Sequence, residues 1–385
     1  MKKLLALVLS MVMAASLAVP ASAASSQSQK RIGLYLDGTS AVFDSVLSAS
    51  DVPPEIRDGR TMIPIRALAE PLGAGVGWDQ ATRQVTLERA GVTVVMTVDS
   101  TTAYVNGKAM EMDVAPYITE GRTLIPARYV AEFFGQKVDW DGEKRQVVVT
   151  EDKSAVGDSN LEAWALPMGA MLAYLNQGDY RIFGLYNRAH STILPTTGGI
   201  APPGGGDYER VLPYERCRLT LSESWDVNSR EELIYTVCAM TLHGHNEDFL
   251  EEAASAGADG TTRRISARWG ERGILCWDLF RMSNLVQWGY VAGYITYPEA
   301  LALLEPAAAL LSGNFSSWDE AYENYLDGYI WWSGDDAEDA WDTGRGVNYK
   351  TMSNAAIFDD TLFETGVIPV PGATAEELLR SVIAN

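Results

Sequence analysis

The sequence predicts an α+β protein in two parts: an N-terminal antiparallel sheet with packed helices built from two repeats, then a mostly α-helical C-terminal domain. Three observations carry this. The string GRTMIPIRALAEPLG at 59–73 returns as GRTLIPARYVAEFFG at 121–135. Around both copies apolar and polar residues alternate with period two, as half-buried strands do. Beyond residue 160 the period shifts toward 3.6, and Ser/Thr-x-x-Glu capping boxes mark helix starts. With 385 residues, 47% of them hydrophobic, the chain can bury two cores.

The first residues read as an address. Lys2 and Lys3 precede an apolar run from Leu4 to Val19, and Ala21-Ser22-Ala23 supplies the small residues of a cleavage site. Residues 1–23 are therefore expected to be a signal peptide, cut after Ala23. No second long apolar run follows, so no transmembrane helix is expected after cleavage, and the mature chain is expected to be secreted or envelope-associated. The formal charge is −21. So acidic a surface speaks against nucleic acid and anionic lipid, which need Lys/Arg clusters. Cys217, Cys238 and Cys276 are too few for a disulfide scaffold, and leave open one bridge with one thiol, or three thiols.

The repeat has a mechanical reading. Arg60 and Arg122, Pro64 and Pro126, and Trp78 and Trp140 are each 62 positions apart, and about half the positions between 56–88 and 118–150 are identical. Asp58-Gly59 and Glu120-Gly121 are turn dipeptides. Pro64 and Pro126 suit the first turn of a helix of two to three turns, which Gly73 and Gly135 end. A hairpin follows in each copy, Val76–Leu87 and Val138–Val149. Further hairpins precede the helices, at Leu34–Gly38 and at Tyr104–Gly107, where Asn-Gly favours a type I′ turn; Val92–Val98 adds a strand. Arg66/Glu70 and Arg128/Glu132 stand four apart and can pair on one helix face. The repeated Arg, Glu, Trp and Asp read as scaffold rather than as a catalytic set.

These residues, GRTMIPIRALAEPLG…VGWD…RQVTL and GRTLIPARYVAEFFG…VDWD…RQVVV, resemble the stalk-type domain named after the N-terminal domain of copper amine oxidases, over roughly 31–151. The resemblance implies a small antiparallel sheet wrapped on helices, an add-on module of exported proteins in Gram-positive bacteria. It does not imply copper, because the oxidase's metal and quinone belong to another domain, which nothing here matches. Pro71 departs from the family's usual residue and should shorten the first helix.

Residues 152–160 are polar and aperiodic, and read as a linker to a helical domain at 161–385. Boxes at Ser229–Glu232, Thr296–Glu299, Ser317–Glu320 and Thr374–Glu377 start helices, and Gly244, Gly257, Gly289 and Gly313 read as stops. Pro195–Gly206 reads as a loop. Ser224-Trp225-Asp226-Val227, Gly244-His245, Trp277-Asp278-Leu279-Phe280-Arg281, Gly289-Tyr290…Gly293-Tyr294-Ile295 and Ser317-Trp318…Tyr325…Gly328…Trp332-Ser333 together resemble an uncharacterised bacterial helical domain, the domain of unknown function 1266 family. That resemblance brings no activity with it.

The candidate chemistry is sparse. His243 and His245, with Glu247 and Asp248, are the candidate metal ligands, but Gly244 between them need not let the imidazoles converge. Asp278 and Arg281, three apart beside Trp277, read as a paired charge, with Asp278 the candidate general acid if its aromatic walls raise its pKa. Asp335, Asp336, Glu338, Asp339 and Asp342 lack the order of a calcium loop and read as a solvated run, with weak extracellular Ca2+ as the alternative. Trp331 and Trp332 are about 100° apart on a helix, so both cannot face one core stripe. GGIAPPGGG lacks the Lys of a phosphate loop, and no nucleophile elbow is present.

No cofactor is expected, and no complete catalytic constellation is visible. The sequence therefore predicts a non-catalytic cell-envelope protein, with His245, Trp277, Asp278, Arg281 and Trp332 as candidate binding residues for a wall component, glycan or surface protein. The alternative is a secreted hydrolase acting on wall polymer through carboxylates such as Asp278 and Glu247.

Overall fold

A computed structural model describes residues 33–36, 39–42, 52, 54–176, 178–184, 192–195, 208–211, 213–335, 337–372 and 374–383. The signal segment 1–23, residues 196–206 of the Pro/Gly stretch and Asp336 lie outside these.

A hairpin of β1 (Gly33–Leu36) and β2 (Thr39–Val42) precedes the repeats. The first repeat runs β3 (Glu55–Arg57), β4 (Arg60–Pro64), α1 (Ile65–Ala69), β5 (Gly75–Asp79) and β6 (Gln84–Arg89). Strands β7 (Val92–Thr97), β8 (Thr102–Val105) and β9 (Lys108–Glu111) connect it to the second. That copy runs β10 (Tyr117–Thr119), β11 (Arg122–Pro126), α2 (Ala127–Phe133), β12 (Gln136–Asp141) and β13 (Gln146–Glu151). Asn106 and Gly107 turn the β8–β9 hairpin at φ 48° and 79°, as a type I′ turn requires.

The repeats meet through their own copies. In the sheet ordered β10-β11-β4-β3, Ile125 of β11 pairs antiparallel with Ile63 of β4, its equivalent 62 residues earlier. Equivalent residues facing each other define a local two-fold axis, and both isoleucines are buried on it. A second sheet is the antiparallel meander β5-β6-β7-β8-β9. The third, β12-β13-β1-β2, holds the exception to the antiparallel expectation: β1 runs parallel to β13, with Leu34 beside Val147.

Helix α1 has five residues and α2 has seven, both shorter than two to three turns; Pro71 stands two residues beyond the end of the shorter one. Leu68, Leu72, Val85, Leu87, Val130, Val147 and Val149 fill the core between helices and sheets. The repeated polar letters lie outside it. Exposed Arg66 pairs with the largely buried Glu70 at 3.3 Å, and Arg128 with Glu132 at 3.8 Å on the surface. Trp78 and Trp140 are 41% and 42% exposed, so they do not build the interior. Asp79 and Asp141 do shape backbone: each carboxylate accepts N–H groups two and three residues on and closes the β-hairpin turn.

The segment 152–160 is structured. Residues Lys153–Val156 form a 3-10 turn, Val156 is buried in the helical core, and Asn160 donates to Gly366 O and accepts from Ile368 N–H. Helix α3 (Leu161–Leu175) follows, then the hairpin β14 (Thr192–Pro195) and β15 (Tyr208–Val211), so Pro195 is in a strand, and α4 (Pro213–Trp225). Next come α5 (Arg230–Leu242), α6 (His245–Ala254), α7 (Gly260–Trp269), α8 (Leu275–Val291) and α9 (Tyr297–Asn314). The chain continues through α10 (Trp318–Ser333), α11 (Gly344–Met352), α12 (Thr361–Thr365) and α13 (Ala375–Ile383). All four capping sequences start helices, with Ser229, Thr296, Ser317 and Thr374 accepting the N–H three residues on.

Helix α8 is the axis of this domain, packed by α3, α4, α5, α9 and α10. Being wrapped on every side, it is apolar nearly all round. Two of its buried polar side chains are satisfied by α3 and the loop after it: Ser283 and Gln287 both donate to Ala165 O, and Gln287 accepts from Gly184 N–H. Gly289, expected to end a helix, instead lies inside α8. A Cβ there would overlap Leu233 of α5, so the glycine is needed for a close helix crossing. The three cysteines are thiols, none joined in a disulfide. Among the described residues no helix is long and apolar enough to cross a membrane.

The two domains are docked, mainly through the first repeat. Gly73 abuts Gly293, and a Cβ on Gly73 would meet Val291 O at 2.7 Å. Arg218 of α4 bridges the seam, donating to Gly73 O and Ala292 O at 2.9 Å each, and Ala90 N–H donates to Gly293 O at 2.7 Å. Arg89 and Glu151, equivalent in the two repeats, converge on Tyr290 of α8. Its hydroxyl donates to Glu151 at 2.6 Å, and the Arg89 guanidinium lies 5.9 Å from its ring. Gly135, the counterpart of Gly73, meets nothing.

Candidate functional site

The residues singled out in the helical domain gather where α6 begins against α8. His243 caps the end of α5, Gly244 is the N-cap of α6, and His245 is its first residue. Gly244 has no side chain to offer the exposed N–H groups. Asp278, from the first turn of α8, does this instead: its Oδ2 accepts Asn246 N–H at 2.7 Å. The fit depends on Gly244, because a Cβ there would overlap the Asp278 carboxylate. Asp278 Oδ1 lies 3.0 Å from His245 Nδ1. An ionised carboxylate only accepts, so Nδ1 carries a proton, and in the neutral ring Nε2 is left as an acceptor. Arg281 Nη1 sits 3.4 Å from that Nε2.

The Asp278–Arg281 ion pair expected from their spacing is thus replaced by a relay, with the His245 ring between them. No Asp278–Arg281 salt bridge forms among the described residues. Asp278 is 3% exposed and both its oxygens are engaged, which makes it a positioning group for α6 and His245.

Arg281 points into aromatics. Its guanidinium carbon lies 4.5 Å from the Trp225 ring, 5.1 Å from Trp277 and 5.8 Å from Trp332. Burial pushes the Arg281 pKa below its ordinary value, Asp278 holds it up, and nearby Arg345 pushes it down again. It stays a cation at any physiological pH. Arg345, at the start of α11, stands 4.4 Å from the Tyr329 ring and 5.9 Å from Trp277, and donates to Tyr325 Oη at 2.6 Å. Gly328 makes room for Trp277, whose Cβ a side chain at 328 would strike at 2.5 Å. Trp332, 52% exposed, stacks tilted on Trp277 at 5.4 Å. Trp331, its neighbour, turns inward onto Phe249 and donates to Glu252, as the helical offset required.

The structure separates the two histidines. His243 Nδ1 lies 2.9 Å from Glu247 on the surface, while His245 faces Asp278. Among the described residues no group of three or more His, Cys, Asp or Glu is placed to hold a metal ion. In the acidic run, Asp335 and Asp339 accept backbone N–H groups of Ala337 and Trp341, so they shape turns. Glu247, Glu251 and Asp278 line one groove between α5, α6 and α8.

Sequence reasoning brought together His245, Trp277, Asp278, Arg281 and Trp332, but missed Arg345, Tyr329 and the role of Trp225. No local spacing links these three helices. It also missed Asp327, fully buried on α10, which accepts from Trp269 Nε1 at 2.7 Å, Arg264 at 3.2 Å and Arg268 at 3.3 Å. An acid within an aromatic helical run was the available signal.

Residues 42–149 match the family model of the copper amine oxidase N-terminal domain, and residues 220–357 match that described as protein of unknown function (DUF1266). Trp225, His245, Trp277, Asp278, Arg281, Trp332 and Arg345 all fall within the second match. Two proteins of Escherichia coli (strain K12) are similar to the chain. The uncharacterized protein YbeU is 29% identical over 139 residues, 31% of this chain and 59% of its own length. The uncharacterized protein YbeR is 24% identical over 136 residues, 30% of this chain and 58% of its own. The chain thus spans about three-fifths of the length of these curated relatives.

Proposed function

Because a copper amine oxidase N-terminal-type domain is followed here by a DUF1266 domain, we propose that the chain is a non-catalytic binding protein of the cell envelope. In this reading it is exported, loses residues 1–23 and remains at the surface without a transmembrane helix. The doubled β/α domain is the attachment unit, needing no copper, and the helical domain takes a wall component, glycan or surface protein. The observation that carries the reading is the shelf of Trp225, Trp277, Arg281 and Trp332, where a half-exposed indole stands over a guanidinium. Such amphipathic aromatics with arginine are what binding surfaces use.

Two measurements test it. N-terminal sequencing of protein recovered outside the cell should begin after Ala23, and the purified mature chain should sediment with isolated cell walls. Retention of Met1 inside the cell, or a chain that stays in the supernatant, would count decisively against this reading.

A hydrolase is the second reading, favoured by one observation: Glu247 and Asp278 line the same groove. Against it, Asp278 is buried and each of its oxygens already holds α6 or His245. Loss of wall-polymer cleavage in Asp278→Asn, with the fold intact by circular dichroism, would promote it.

A further inference from the structure

The helical domain pairs its cations with care. Arg230, Arg264, Arg268, Arg272 and Arg380 each reach a carboxylate within ion-pair distance. Arg218 and Arg263 instead donate to backbone carbonyls, whereas Arg281 and Arg345, among the described residues, reach neither a carboxylate nor a backbone carbonyl, although the chain carries 51 acidic residues. Their neutral partners are His245 Nε2 and Tyr325 Oη. The two guanidiniums are also near enough to repel, and both lie within 6 Å of one indole, that of Trp277. Trp277 Nε1 is buried and finds no acceptor, a donor costly to leave unmade.

Two like charges beside one indole, with only the buried and already engaged Asp278 as a nearby counter-charge, favour an anion from outside the chain. The geometry says what the rest of that ligand is. Trp332 offers its half-exposed face beside the cations, and the C–H face of a sugar ring stacks on an indole while its polar rim stays wet. We propose that Trp332, Trp277, Arg281 and Arg345 form a binding site for an acidic sugar. Trp332 takes the ring, and the two guanidiniums take its carboxylate or phosphate in the charge-assisted geometry that arginine favours. Asp278 and His245 are positioning residues, since the proton held on Nδ1 leaves Nε2 to steer Arg281. This deepens the envelope reading and rests on the helical domain being the ligand-binding half.

The test is titration of the purified mature chain, by tryptophan fluorescence and calorimetry, with glucuronate, glucose 1-phosphate, inorganic phosphate and glucose. Saturable binding of at least one acidic sugar is expected, tighter than inorganic phosphate or glucose by tenfold or more and weakened by salt. The two acidic arms tell which anion the arginines prefer. Arg345→Gln and Trp332→Ala should each weaken binding at least tenfold. Trp332 is exposed enough that its removal leaves the fold standing, and thermal unfolding checks this. The proposal is overturned if neither acidic sugar binds, if glucose binds equally well, or if both variants bind like the parent. Sugar binding without wall sedimentation would sink only the envelope reading; wall sedimentation without sugar binding would sink only this site.

Discussion

At the scale of single residues, glycine and aspartate separate the roles of the near-copies. Gly73 and Gly135 hold the same place in the two repeats and nearly the same φ, 78° and 75°. Only Gly73 is pressed against a neighbouring backbone, that of Val291 and Gly293. Gly135→Ala should therefore cost about 1 kcal/mol, the strain of a left-handed alanine. Gly73→Ala adds overlap with rigid backbone and should cost about 3 kcal/mol. Denaturant unfolding of the two variants side by side measures the difference; equal losses would refute the docking role. Asp327 gathers three polar partners inside the helical domain. Asp327→Ala strands Trp269 Nε1 in the interior and leaves Arg264 and Arg268 without a shared anion. A loss of about 3 kcal/mol is expected by the same measurement.

At the scale of elements, the seam between α1 and α4 makes stability depend on pH. Glu70 ends α1, and Glu215 lies in the first turn of α4. Burial raises the Glu70 pKa above the ordinary carboxylate value; Arg66 opposes this and Glu215 adds to it. A raised acid pKa means the folded state holds the proton more tightly than the unfolded chain. This contribution is therefore favourable in acid and is lost as pH rises through the folded value. Glu70→Gln should raise the melting temperature at pH 7 and leave it unchanged below about pH 3, where the parent carboxyl is protonated in both states. Thermal melts across that range decide it, and a variant less stable at pH 7 would show that the Arg66 pairing outweighs burial. The helix starts at Ser229, Thr296, Ser317 and Thr374 were legible because a cap is a local bargain between residues three apart. Gly289 misled because a glycine that ends a helix and one that admits a neighbouring helix look alike in sequence.

At the scale of the whole molecule, the N-terminal β/α domain and the helical domain share a seam. Arg218 binds carbonyls on both sides, and Tyr290 is held by Glu151 of the second repeat and faced by Arg89 of the first. Cooperative unfolding of both cores in one thermal transition is the expectation for the parent chain. Arg218→Gln, which removes both carbonyl contacts, should split calorimetric unfolding into two transitions. A single unshifted transition in the variant would show that the seam does not couple the domains. The docking also answers why the chain repeats one string. The local two-fold axis at Ile63 and Ile125 lets each copy complete the other's sheet. One copy's helix end is then used up against α8, and the other's stays open.

The sequence by itself determined what short-range physics determines. The repeats, their Asn-Gly and Asp-Gly turns, the capped helix starts and the divergence of Trp331 from Trp332 follow from residues a few positions apart. It also placed His245, Trp277, Asp278, Arg281 and Trp332 together as candidates. Only the tertiary structure decided how these meet. It set His245 between Asp278 and Arg281, brought Arg345 and Tyr329 to the same indole, and turned a polar stretch at 152–160 into a packed joint. The reason is that such contacts join segments tens of residues apart. Their energy depends on burial and on which charge finds which partner, and neither is set until the helices have packed.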